Sequence, residues 1–309
     1  MAEISIVTPV LNQAEYIERC ILSVANQQAD VEHIIIDAGS TDGTLDIIKK
    51  HADKLAYWVS EPDNGQSHAI NKGIARCSGK YFNWLNADDE ITKGALSEVI
   101  QLFEPNVNVV IGQCQHIDVN GNEMAIGSAK LWETVEGTLG NYTMGQPSHF
   151  YRIETIKSLG ELNEALHYCM DMDLWFRYLI KYGHSGIKLS DKILSQFRLL
   201  PLAKSQLESK EMKQENYSVY KALLLSVGMA PELAPFFNTI PSIKEINFEP
   251  SQKLDRDRLN AHFAWYLLLK AYEHREMQSA KQYYKVVAQK DRLSITDKLL
   301  WKTRLWLRG

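Results

Sequence analysis

Carboxylates stand where hydrophobic runs stop. Asp37 closes the run "HIIID", and Asp88 and Asp89 follow the strand-like stretch "YFNWLNADD". Asp171 lies in "MDMDLWFRY", two residues before Asp173. Adjacent acids can chelate a hard divalent cation, which takes oxygen ligands, often one or two carboxylates plus substrate phosphates. A lone acid can act as general base once a substrate hydroxyl is in reach. Plainer readings stand beside these. Acids favour helix N-termini, a helical pattern starts near Thr92, and Asp171 fits a helix N-cap or first turn. Asp37 ends an apolar run, where an unpaired carboxylate is costly. It needs a donor, and a nucleobase N–H would serve. In "DAGSTDGT", Ser40 and Asp42 can cap the helix that follows.

The elements that must position these acids read as alternating strand and helix over the first 112 residues. "ISIVTPV" is a strand ending at Pro9, after which Ile17, Cys20, Ile21 and Val24 share one helix face. "HIIIDAG" suits a strand covered on both faces. "STDGTLDIIKKH" opens with capping residues and continues as a helix with Leu45 and Ile48 on one side. "LAYWVSE" is a third strand, and "PDNG" a turn. Ala69, Ile70, Gly73, Ile74 and Cys77 mark a helix, "KYFNWL" a strand, Leu96 to Phe103 a helix and "NVVIG" a strand. Such alternation implies an α/β fold with a mostly parallel sheet flanked by helices. Ligands of such sheets bind beyond the strands' carboxyl ends. Pro9, Asp37, Glu61 and Asp88 are therefore expected at one crevice.

Residues 113–200 are less regular. They include "GQPSHFYR" and a helix carrying Asp171, Leu174, Trp175 and Tyr178, closed by Gly183. Beyond Pro201 the pattern is helical, in "ENYSVYKALLLSVG" and then one long stretch from Arg258 to Lys290. A boundary is expected near residue 205.

The chain has 309 residues and a net charge of −4, from 34 basic and 38 acidic side chains. That balance argues against a nucleic-acid partner, whose binders are basic. No run reaches the roughly 18 apolar residues of a membrane span, and the N-terminus does not read as a signal peptide. Cys20, Cys77, Cys114 and Cys169 form no CxxC pair. They are expected as free thiols in the cytoplasm, with no zinc site. No P-loop, nucleophile elbow or H-E-x-x-H motif is present, and no G-x-G-x-x-G follows the first strand. Of nine histidines, His149 beside the "QPS" segment is the one to follow.

Taken together, "SIVTPVLNQAEYIERCILSVANQ", "HIIIDAGSTDGT", "EPDNGQSHAINKGI…SGKYFNWLNADD" and "MDMDLWFRY" resemble the inverting family 2 glycosyltransferases of GT-A fold, over residues 3–200. The likeness is greatest to bacterial cell-surface polysaccharide and lipopolysaccharide enzymes. It implies a GT-A catalytic domain over 1–205, with 1–112 as the nucleotide-sugar half and 113–205 as the acceptor half. A helical extension over 206–309 follows. Thr8, Pro9, Val10 and Asn12, with Glu15, match the segment lining the nucleotide pocket. Asp37 matches the acid that contacts the base, beside the Gly39, Ser40 and Asp42 turn. Asp63, Gly65, Asn71 and Lys72 match the segment near ribose and diphosphate. Asn86, Asp88 and Asp89 match the D-x-D region, with Asn in place of its first acid; the metal ligand is Asp88, Asp89 or both. Asp171 matches the catalytic base, with Met170 where Glu is usual and Asp173 close by. Gln146 to His149 match a segment near the sugar and acceptor, and Arg198 or Lys204 one that reaches the diphosphate. The processive Q-x-x-R-W signature is absent, which favours single additions.

The resemblance implies transfer from a nucleoside diphosphate sugar, with uracil as the expected base, to a glycan or lipid-linked hydroxyl. The implied cofactor is Mn2+ or Mg2+. A sugar-nucleotide pyrophosphorylase is the alternative enzyme, though "TPVLNQAEY" lacks its Gly- and Arg-rich loop. A non-catalytic nucleotide-sugar-binding protein is the alternative of another class. Residues 281–309 carry eight Lys/Arg against two Asp. In "LSITDKLLWKTRLWLRG", Leu299, Leu300, Trp306 and Leu307 share a helix face, with Lys298, Lys302, Arg304 and Arg308 largely opposite. The pattern fits a peripheral membrane helix and equally a helix docked on the enzyme. The helices of 206–290 could also serve homo-oligomerisation.

Overall fold

The computed structural model describes residues 2–200, 209–249, 254–288 and 301–305. Along the chain run β1 (Ile4–Val10), α1 (Ile17–Ala25), β2 (Val31–Asp37), α2 (Thr44–Lys50), β3 (Tyr57–Ser60), α3 (Gln66–Ile74), β4 (Tyr81–Trp84), β5 (Glu90–Ile91) and α4 (Ala95–Leu102). They are followed by β6 (Val109–Ile117), β7 (Glu123–Ser128), α5 (Val135–Gly140), β8 (His149–Arg152), α6 (Ile153–Leu159), α7 (Met170–Tyr182) and β9 (Ile187–Arg198). Beyond these lie α8 (Lys210–Val227), α9 (Ala234–Phe237), α10 (Arg256–Glu273) and α11 (Met277–Ala288). The chain forms two compact units. The first comprises Met1–Ala129, Thr143–Leu174 and Ser185–Met212; the second comprises Lys130–Tyr142, Trp175–His184 and Lys213–Gly309. A single cut near residue 205 does not reproduce this division, because two upstream segments join the C-terminal helices.

The first unit holds the sheet, in the order β3-β2-β1-β4-β8-β6-β9-β5, with β7 paired to β6. Its first four strands are parallel. Strand β1 is buried along its whole length, as a parallel strand between helical layers must be. Helix α1 buries Ile17, Cys20, Ile21 and Val24, the set its spacing predicts. Helix α3 approaches β1 so closely that a Cβ on Gly73 would stand 2.3 Å from Val7 Cγ1. Beyond β4 the sheet becomes mixed. Strand β8 is antiparallel to β4 and β6, β9 is parallel to β6, and β5 is antiparallel to β9. The mostly parallel expectation therefore holds for the N-terminal strands and gives way to mixed pairing further on.

The stretch after Asp88 and Asp89 also departs from expectation. No helix starts near Thr92. Glu90 and Ile91 instead pair with Gln196 and Ser195 as β5. The Thr92 backbone N–H donates to Leu194 O, and its hydroxyl donates to Ile193 O. Helix α4 begins only at Ala95, after Gly94 at φ 78°. The two acids are thus not helix caps, and long-range strand pairing overrides the local acidic signal.

In the second unit, Phe176, Tyr220, Phe263 and Phe237 form a chain of ring contacts, with centroids 4.8–5.5 Å apart. A Cβ on Gly140 would stand 2.4 Å from His262 Cβ, so α5 and α10 pack backbone to side chain. The long helical stretch expected from Arg258 is broken into α10 and α11, with Arg275 at φ 61°. Residues 301–305 are helical. Trp301 and Leu305 are buried, and Trp301 meets Trp265 and Tyr272 edge-on. This part of the tail packs on its own unit through Trp301 and Leu305. Leu299, Leu300, Trp306, Leu307, Lys298 and Arg308 lie outside the described residues, as does Lys204. Among the described residues no helix is long and apolar enough to cross a membrane.

Candidate active site

The crevice expected beyond the carboxyl ends of the strands has a built rim. The loop after β1 and the loop after β2 are stitched by four hydrogen bonds. Asn12 N–H donates to Ser40 Oγ (2.8 Å), Thr41 N–H to Asn12 Oδ1 (2.9 Å), Gln13 N–H to Thr44 Oγ1 (2.8 Å) and Ala14 N–H to Asp42 Oδ2 (3.0 Å). Asn12 is left-handed at φ 52°, a conformation Asn tolerates better than most residues. Asp42 Oδ1 also accepts the N–H and the hydroxyl of Thr44. Burial acts to raise the Asp42 carboxyl, but the bonds from Thr44 and Ala14 hold it below the usual range. Glu15 is exposed on this rim.

Asp37 is fully buried at the tip of β2. Its Oδ2 accepts the N–H groups of Gly39 (3.2 Å) and Ser40 (3.1 Å) and the hydroxyl of Ser60 (2.5 Å). Its Oδ1 accepts the Ser40 hydroxyl. The donors that the sequence left unassigned are thus supplied first by the protein itself. Register fixes where Asp37 stands. Val10 pairs with Asp37 on one side of β1, and Val7 with Trp84 on the other, four residues before Asp88. Two strands flanking a third lie about 10 Å apart, so Asp37 and the Asp88 turn occupy the same sheet end.

Asp88 and Asp89 are not equivalent. Asp89 is fully buried, with Oδ1 accepting the Arg198 backbone N–H (3.0 Å). Its Oδ2 is buried without a hydrogen-bond partner. Burial, then the neighbouring Asp88 charge, raise the Asp89 carboxyl well above its usual range. Asp88 is half-buried, and burial raises it too. Two carboxyls that resist ionisation side by side fit a site for a divalent cation, which would offset both penalties. Among the described residues no three His, Cys, Asp or Glu side chains gather into a metal cage. A cation here would therefore need oxygens from a ligand, as Mg2+-like sites commonly do.

Arg198 departs from expectation. It is 1% exposed, and Nε, Nη1 and Nη2 all donate to protein oxygens. It is a buried tie whose donors are already engaged by protein oxygens.

Helix α3 brings the Asp171 segment to this end of the sheet. Gln66 Nε2 donates to Asn86 Oδ1 (2.8 Å). A Cβ on the preceding Gly65, at φ 115°, would meet His167 Nδ1 at 3.5 Å. Ser67 Oγ donates to Leu166 O, and Asn71 binds Leu162 through both ends of its amide. The segment 162–167 is thus fastened to the start of α3, and α7 begins at Met170. Asp171 lies in the first turn of α7, where Met172 N–H donates to its Oδ1 (2.8 Å). Asp63 Oδ1 accepts the Gly65 N–H.

Several residues matched to ligand contacts have side chains committed to the fold. Thr8 is fully buried, with its hydroxyl 2.9 Å from His33 Nε2. Asn71 is 7% exposed and holds the 162–164 segment. Lys72 pairs with Glu61. Gln146 donates to Trp84 O and Asn83 Oδ1. His149 is fully buried on β8, held down to about 4 by burial. Pro9 and Val10 are buried, and Asp173 is 2% exposed. Sequence reasoning missed Ser60, Gln66 and Glu90, whose partners Asp37, Asn86 and Arg198 are remote in sequence and leave no local signal, and Thr44, which joins Gln13 to its neighbour Asp42.

A family model described as glycosyl transferase family 2 matches residues 5–159, half of the chain. The chain belongs to glycosyl transferase family 2. The match covers every strand end that bears Asp37, Asp88 and Asp89. The chain is 28% identical to an uncharacterized glycosyltransferase of Rickettsia typhi over 191 residues, 57% of this chain and 58% of that protein. It is 27% identical to the chondroitin synthase of Pasteurella multocida over 180 residues, 56% of this chain but 18% of the synthase. The chain thus matches less than two thirds of these relatives' own length. Among solved structures, TarS of S. aureus superposes over 99% of this chain and 53% of its own, with TM-score 0.60 and 16% identity. A TarS fragment solved with UDP-GlcNAc gives TM-score 0.57 at 18% identity, over 92% and 81% of the two chains. These likenesses show the GT-A-like fold.

Proposed function

We propose that this family member is an inverting glycosyltransferase. It moves a sugar from a nucleoside diphosphate sugar, UDP-linked in the first instance, to a hydroxyl of a glycan or lipid-linked acceptor. Bacterial cell-surface polysaccharide or lipopolysaccharide assembly, on the cytoplasmic side of a membrane, is the setting that the motif resemblance suggests. Support for the nucleotide comes from the TarS fragment solved with UDP-GlcNAc. Support for a cation comes from a mannosyltransferase of Pyrobaculum calidifontis, solved with GDP-Man and Mn2+, at TM-score 0.53 and 15% identity over 99% of this chain and 80% of that one. The observation that carries the reading is the meeting of Asp37 and the Asp88 turn at one sheet end, with segment 162–167, just before the Asp171 helix, fastened to the start of α3.

Asp88, half-buried beside buried Asp89, would hold the cation together with donor phosphate oxygens. When bound, the ion supplies Lewis-acid neutralisation of charge on the departing diphosphate. The stitched loops carrying Asn12 and Ser40 would cradle the nucleoside beside Asp37. Asp171 takes the acceptor proton as the hydroxyl oxygen bonds to the anomeric carbon. The bond from that carbon to the diphosphate oxygen breaks with its electron pair, and one displacement inverts the centre. Asp171 stands in the N-terminal turn of α7, where the Met172 N–H donates to its Oδ1. Incubation with UDP- and GDP-sugars, Mn2+ and glycan acceptors, assayed for nucleoside diphosphate release, tests the reading. Release of nucleoside triphosphate with pyrophosphate as co-substrate would indicate a pyrophosphorylase instead. Binding without turnover would indicate a binding protein.

A further inference from the structure

Arg198 is a buried cation that the mechanism above does not use. Its donors converge on the turn that bears Asp88. The backbone N–H bonds Asp89 Oδ1 (3.0 Å), Nε bonds Asp88 O (3.1 Å) and Nη2 bonds Glu90 Oε1 (2.5 Å). Nη1 reaches the turn between β6 and β7, at Asp118 O (3.1 Å). The guanidinium carbon lies 5.4 Å from the centroid of Tyr16, in the loop after β1. Residues 88, 89 and 90 are therefore each fastened to Arg198 through a different atom. Asp89 and Glu90 are held by their carboxylates, Asp88 by its carbonyl. The Asp88 side chain is the carboxylate of the three that Arg198 does not bond.

We propose that Arg198 is a positioning residue, which locks the 88–90 turn so that the Asp88 carboxylate is presented to the donor's diphosphate and cation. The assignment rests on the transferase reading given above. It requires a planar fork: a guanidinium offers five N–H donors in fixed directions, whereas an ammonium offers three at one point. Charge and clamp act in opposite directions here. As a bare positive charge, Arg198 weakens cation binding at Asp88. As a clamp, it strengthens it.

The test is Mn2+ binding to the full chain in the presence of UDP, and separately GDP, followed by electron paramagnetic resonance. Glu90→Gln and Glu90→Ala remove the same negative charge. Only Gln keeps an acceptor for Arg198 Nη2. The clamp predicts that Glu90→Ala binds Mn2+ about tenfold more weakly than Glu90→Gln, the scale of one hydrogen bond to a charged group. Equal affinities of the two would overturn it, because charge alone would then account for the loss. Arg198→Lys keeps the charge and loses the fork, and a loss of about tenfold or more is expected. Unchanged or tighter binding would also overturn the clamp. If Arg198→Lys does not fold, the Glu90 pair decides. Wild-type protein that binds no Mn2+ with either nucleotide would defeat the cation reading itself, and the clamp with it. That result is distinct from a wild type that binds while the two Glu90 variants agree.

Discussion

Replacing Asp37 by Asn separates a scaffold role from a ligand role. The carboxylate accepts four protein hydrogen bonds, three at Oδ2 and one at Oδ1. An Asn can keep its carbonyl oxygen on the Gly39, Ser40 and Ser60 donors. Its NH2 then faces the Ser40 hydroxyl, which already accepts the Asn12 N–H. The hydroxyl must turn its proton elsewhere, so the charge-assisted bond it donated is lost and the other three become neutral. Charged bonds exceed neutral ones by about 1 kcal/mol each, and part of the loss falls where water can enter. The sum is about 3 kcal/mol. For a folding unit of this size, 1 kcal/mol moves Tm by roughly 2–4 °C. Asp37→Asn should therefore lower Tm by about 6–12 °C, followed by circular dichroism with and without UDP. A Tm within about 2 °C of wild type, with UDP affinity reduced, would refute the reasoning. The carboxylate would then serve a ligand and not the loops.

Other consequences are testable on the same protein. Asp88→Ala should abolish Mn2+-dependent UDP binding with little change in Tm, whereas Asp89→Ala should lower Tm by leaving the Arg198 backbone N–H buried and unpaired; calorimetry and melting curves giving the two variants the same profile would contradict this. Burial holds His33 down to about 3 and His149 to about 4. Below the unfolded value near 6.5, the unfolded chain therefore binds protons that the folded chain does not, and stability falls as pH drops from there toward 4. At pH 5 the loss is about 2 kcal/mol per histidine, and a urea midpoint equal at pH 7 and pH 5 would speak against it. Gly73→Ala should cost about 1–3 kcal/mol by driving α3 off Val7, read as a lowered denaturant midpoint.

How much of this could be read from the chain depends on the distance to each partner. Helix α1 and strands β1 to β4 were legible because their patterns are local, and β1, β4 and most of β2 are buried on both faces. The motif residues Asp37 and Asp88 stand at one sheet end, as their positions after β2 and β4 imply. What failed depended on remote partners. Glu90 and Ile91 become a strand only through Ser195 and Gln196. Arg198 looked like a phosphate ligand because its type suits phosphate, yet its donors are spent on residues 80–110 positions away. Asn71 likewise turns inward to a segment 91 residues on. Thr8 sits in a motif that flanks nucleotide, but strand alternation points its hydroxyl at His33.

Acceptor-dependent release of nucleoside diphosphate, compared between wild type and Asp171→Asn with Mn2+ present and with the metal chelated, tests the central claim most directly. The account predicts release by the wild type that chelation abolishes, and a fall of roughly 10²–10⁴-fold in Asp171→Asn with nucleotide affinity retained. Turnover by Asp171→Asn equal to wild type, or release indifferent to chelation, would contradict it.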